Sequence, residues 1–138
     1  SRETLQSLTF RPKKDLMQNW ILLASDFEQF LKEKSLSRKY GDLIFFHLLI
    51  GAMYLAKEEM TYKGKKIRVV AKVLKKYHAN PFVKEKLTWK ACDHYTAHIQ
   101  SLFWKALAFT LVFFLQVHAY SILAAVLVLM SRLGIDSL

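Results

Sequence analysis

The chain has 138 residues, a formal net charge of +10, 53% hydrophobic and 14% aromatic residues. That length predicts one domain over 1–138, and the apolar content excludes intrinsic disorder. Four glycines and two prolines are too few for the turns of a sandwich or barrel, and the lone cysteine, Cys92, excludes a disulfide within the chain.

In chain order, residues 1–12 read as an extended arm, with Pro12 suited to the start of a helix. Lys13 to about Glu33 has a helical period, and Leu16, Trp20, Leu23, Phe27, Phe30 and Leu31 are expected on its core-facing arc. After a connector at 34–37, Ser37 or Gly41-Asp42 starts a second helix. Its stretch Leu43–Ala56 carries no formal charge and is apolar on every side, with His47 its one strongly polar residue. Such a helix is central, and its rise of about 21 Å is too short for a bilayer. Thr61–Gly64 interrupts the pattern. The third helix, about Lys65 to Tyr77, sets Ile67, Val70, Ala71, Leu74 and Tyr77 on one side and cations on the other. His78-Ala79-Asn80-Pro81 is strong punctuation, with Asn80 as cap and Pro81 as first helical residue. A fourth helix carries Phe82, Trp89, Tyr95 and Ile99; a bend near Ser101 leads into an apolar fifth helix over 106–131. The expectation is a mostly α, single five-helix bundle of up-and-down type.

Catalytic and metal chemistry find little support. His94 and His98 are four apart, but the stretch reads H-Y-T-A-H and lacks the Glu of a zinc-protease motif. Cys92 is expected on another helix face, so helix-surface histidines beside a buried thiol are the preferred reading. There is no G-x-S-x-G, no phosphate-cradling glycine loop and no carboxylate pair within an apolar segment. No metal, cofactor or enzymatic activity is expected.

Charge and hydropathy are both lopsided. Residues 57–90 hold eleven Lys and Arg against three Asp and Glu, a net +8. Lys63, Lys65, Lys66, Arg68, Lys72, Lys75 and Lys76 form the candidate basic face, and its field attracts polyanions such as anionic lipid. Nucleic acid is disfavoured, because the cations are mostly lysines and no recognition module is present. The 26 residues of 106–131 contain no formal charge, Pro or Gly. As one helix they rise about 39 Å, more than the roughly 30 Å hydrocarbon core, so a tail anchor is one reading. A packing argument favours another. Three amphipathic neighbours cannot cover both 43–56 and 106–131, so an apolar patch remains for a lipid, a partner or a second copy in a homodimer. Phe103, Trp104, Phe109, Phe113 and Phe114 are the candidates for insertion.

This combination resembles the abalone sperm acrosomal proteins, lysin and its fusagenic paralogue. The resemblance rests on a basic chain of this size, few cysteines and five expected helices. Its local cues are Phe30-Leu31-Lys32, Lys75-Lys76-Tyr77, the His78–Pro81 break and the aromatic-basic stretch from His94 to Lys105. It implies a lysin-like fold, secretion, storage in the sperm acrosomal granule and action at the egg surface without enzymatic cleavage. The more apolar C-terminal third departs from lysin toward the paralogue, implying fusion of sperm and egg membranes. The expected function is therefore binding and perturbing membranes in fertilisation. The alternative is a tail-anchored protein with a cytosolic helical domain and 106–131 across the bilayer.

Overall fold

A computed structural model describes the backbone of residues 13–134 and the side chains of 16–134, and seven helices occur among them. The arm expected over 1–12 lies outside the described residues. The elements are α1 (Lys13–Glu33), α2 (Ser37–Lys63), α3 (Ile67–Ala79), α4 (Pro81–Lys86), α5 (Trp89–Tyr95), α6 (Leu102–Gln116) and α7 (Tyr120–Arg132). The described residues are all-α, with no strand among them, but they form seven helices where five were expected. Two of the expected helices are each split.

The first split lies within 81–99. Thr88 takes an extended backbone and its Oγ1 accepts from the Ala91 N–H, so it caps a new helix and ends the old one at Lys86. The second divides the apolar run 106–131. Val117 caps the end of α6, His118 takes φ +59°, and two reverse bonds close the turn: Ala119 N–H to the Phe114 carbonyl (2.9 Å) and His118 N–H to that of Leu115 (3.1 Å). This is a Schellman closure, with histidine where glycine usually stands. The 39 Å helix is thus replaced by two shorter ones. Among the described residues no helix is long and apolar enough to cross a membrane.

The 27-residue α2 is the central element and packs against all six other helices. It buries Ile44, Phe45, Leu48, Leu49, Ala52 and Leu55. One hydrophobic cluster draws residues from all seven helices. On α3 the buried residues are Val70, Ala71, Leu74, Tyr77 and His78. Ile67, expected with them, opens the helix at the exposed connector and stays outside. Asn80 and Pro81 stand as expected: Asn80 Oδ1 accepts from the Phe82 and Val83 N–H groups, with Pro81 at the first helical position.

The face of α1 differs from the expected arc. Met17, Ile21, Ala24 and Leu31 are buried, whereas Leu23 and Phe30 are 61% and 47% exposed. Leu16, Trp20 and Phe27 are half-buried along the margin of the core. Because α1 packs chiefly on α2 and α4, a narrow stripe suffices to hold it. The second apolar stripe then runs beside the interface, where Trp20 lies flat on His47.

Candidate functional site

All seven basic candidates are exposed, but α3 carries only four of them. Arg68, Lys72, Lys75 and Lys76 lie on the helix, while Lys65 and Lys66 lie in the connector before it and Lys63 ends α2. The helix therefore starts two residues later than its sequence period suggests. Lys63 Nζ is 3.0 Å from Glu59 Oε1, so this cation is shared with a buried carboxylate.

Two clefts flank the cationic side of α3. One, of about 410 Å³, is lined by Arg68, Lys72, Lys76 and Lys63 together with Glu58 and Glu59. The other, of about 550 Å³, lies between α3 and the α6–α7 turn. Its walls are Arg68, Ala71, Lys72 and Lys75 on one side and residues 118–122 on the other, with no carboxylate among them.

That second wall is tied to the core by a chain of rings. His118 Nδ1 and His78 Nδ1 each lie 2.8 Å from the Tyr120 hydroxyl. A hydroxyl has one proton and two lone pairs, so it donates to one ring and accepts from the other. His78 is buried. Burial, with the nearby His118 and Lys84 charges, holds its pKa below the ordinary value, so the neutral ring is the native form. Sequence spacing could not reveal this cluster, since His78 and Tyr120 are 42 residues apart.

The aromatic candidates divide. Phe103, Trp104 and Phe113 are 52%, 42% and 47% exposed. Phe109 and Phe114 are half-buried against the core, which withdraws them from the insertion set. Phe109 is covered by Trp89, whose ring centroid is 4.7 Å away. Trp89 itself is exposed, and it joins Leu102, Val117 and Ile122 among the exposed apolar residues. The expected shortage of cover is present on both apolar segments, because α2 also exposes Leu43 and Ile50.

His94 and His98 do not share a helix face. Helix α5 ends at Tyr95, and His98 follows in a turn. Both are exposed, and no group of three or more His, Cys, Asp or Glu able to hold a metal occurs among the described residues. Cys92 is buried, and burial ahead of the Asp93 charge pushes its thiol up to about 11. A thiol so placed is inert as a nucleophile at neutral pH. Compared with known protein families, with curated proteins and with solved structures, the chain matches none.

Proposed function

We propose that this chain is a non-enzymatic protein that binds and perturbs membranes. The observation that carries the reading is the presence on one small protein of an exposed cationic helix side and of exposed aromatics on a second, largely apolar helix. Lysines near an anionic surface are each worth about 1 kcal/mol and draw the protein to it. Phe103, Trp104 and Phe113 then supply apolar area for the interface. In keeping with the resemblance to the fusagenic paralogue of lysin, its setting is secretion from the sperm acrosomal granule and fusion of sperm and egg membranes. The break at 117–119 favours a surface-acting protein over the tail-anchored alternative.

Salt separates electrostatic capture from apolar insertion. The test replaces Lys65, Arg68, Lys72, Lys75 and Lys76 by Gln and measures binding to anionic vesicles across ionic strength. The parent should weaken as salt rises, and the five-Gln protein should bind weakly at every salt concentration. Equal binding and equal lipid mixing by both proteins would reduce the basic side to a solvated face and overturn the reading.

A further inference from the structure

The two clefts beside α3 share Arg68 and Lys72, yet only one has carboxylates, Glu58 and Glu59, to offset part of its positive charge. We propose that the other, between α3 and the α6–α7 turn, is a binding site for a phosphomonoester presented by a lipid headgroup. The proposal rests on the membrane reading above and gives it a chemical specificity.

Arg68, Lys72 and Lys75 follow one another at helical spacings of four and three, so they form one row along α3. A guanidinium grips two oxygens of a phosphate at once, and the ammonium groups add point charges. Opposite this row stand His118 and the Ser121 hydroxyl, both donors suited to phosphate oxygens. Helix α7 begins beside them with no side-chain cap and no acidic residue in its first turn, so its amide groups add to the same positive field. The wall is fixed in advance, because Tyr120 ties His118 to the buried His78. A volume of about 550 Å³ lies within the usual range of small-ligand sites. The same cleft is lined by Ile122, which is 55% exposed. An exposed apolar side chain beside three cations suits a headgroup with acyl chains attached better than a free anion.

The cations of a general polyanion face would treat all anionic lipids alike; a phosphomonoester site would not. The full chain is titrated with phosphatidylcholine vesicles carrying either phosphatidic acid or phosphatidylserine at matched surface potential. A separate arm follows His118 and Ser121 by NMR during addition of inorganic phosphate or glycerol 3-phosphate. The parent should bind phosphatidic acid roughly fivefold tighter or more, about the effect of one further charge at such a surface. Ser121→Asp should erase that preference while retaining phosphatidylserine binding, and Lys75→Gln should erase it while weakening phosphatidylserine binding no more than Lys76→Gln does. Ser121→Asp places a carboxylate in the first turn of α7, where it favours the helix, so lost folding does not explain its loss. Lys76→Gln, in the other cleft, should weaken both lipids equally. Equal affinity of the parent for the two lipids, or equal effects of Lys75→Gln and Lys76→Gln on the preference, would overturn the site and leave general membrane binding standing. If neither vesicle is bound, the membrane reading fails and the NMR arm decides. Shifts at His118 and Ser121 with millimolar phosphate would uphold the site for a soluble phosphomonoester, and none would overturn it.

Discussion

Trp20 and His47 exchange reciprocal hydrogen bonds across the α1–α2 interface while their rings stack. The indole N–H donates to the His47 carbonyl at 2.8 Å, and His47 Nε2 donates to the Trp20 carbonyl at 2.9 Å. The ring centroids are 4.3 Å apart and nearly parallel. Tyr54 stacks on the indole too, at 5.0 Å. This assembly requires the glycine nearby. A Cβ on Gly51 would run into the Trp20 indole and come within 2.5 Å of the Tyr77 hydroxyl, which donates to the Leu48 carbonyl at 2.6 Å. Gly51→Ala should therefore destabilise the fold by about 1–3 kcal/mol through overpacking, despite alanine's better helix propensity. Urea unfolding measures it, and an unchanged midpoint would mean the indole yields freely.

Acid should weaken the fold through His78. Burial first, then the charges of His118 and Lys84, hold this histidine below its ordinary value of 6.5. Between the lowered native value and 6.5 the unfolded chain binds more protons than the native one, so stability rises with pH there. The contribution is complete above about pH 6.5 and is lost as pH falls below it. Glu28 acts in a separate, lower window. Burial raises its pKa, but Lys86 and Lys32 outweigh that and hold it below 4.5, so its contribution is lost only as pH falls through that range. Urea midpoints at pH 7.5, 6 and 5 should decline in the parent and stay flatter in His78→Gln, which keeps a polar partner for Tyr120.

The α1–α2 connection offers a cleaner test of backbone strain. Ser35 has φ +58°, and Leu36 N–H returns to the Leu31 carbonyl at 2.8 Å. This is the same closure as at His118, with Leu36 and Leu31 as its apolar pair. Ser35 is exposed and sits in the left-handed region that costs a side-chain-bearing residue about 1–2 kcal/mol. Ser35→Gly should stabilise the protein by about 0.5–1 kcal/mol once the glycine's extra unfolded entropy is deducted. Ser35→Val should destabilise it, and the thermal midpoints should fall on either side of the parent.

These two closures also show why parts of the fold were legible in the sequence and others were not. Asn80-Pro81 announces its boundary because the side chain caps and the ring is pre-set for the first turn, both local effects. The central place of α2 was legible because no polar face interrupted it. Histidine at position 118 gives no local sign of a left-handed turn, so the apolar run read as one helix. On α1, two apolar stripes compete, and only the position of the α2 partner decides which is buried. The candidate cations were legible as a charge run, but which cleft also holds carboxylates depends on where Glu58, Glu59 and the α6–α7 turn are brought by folding.

The aromatic candidates allow insertion to be separated from packing, since exposure divides a set that sequence alone treats as equivalent. Phe103 and Trp104 meet edge-on at the start of α6, their centroids 5.0 Å apart, and both are exposed. Phe109 and Phe114 pack against the core. Replacing a large core aromatic typically costs about 3–5 kcal/mol, whereas surface substitutions usually stay within about 0.5 kcal/mol. Phe103→Ser with Trp104→Ser should therefore retain helicity, thermal midpoint and low-salt capture by anionic vesicles. Lipid mixing should fall sharply, because the apolar area that enters the interface has been removed. Phe109→Ser and Phe114→Ser should lower the thermal midpoint before any effect on lipid can be assigned. Circular dichroism fixes the order of the comparison: only variants with parental helicity enter the vesicle assay. A folded Phe103→Ser/Trp104→Ser protein that still mixed lipids at the parental rate would place insertion elsewhere, with exposed Ile122 and Leu129 of α7 the next residues to replace.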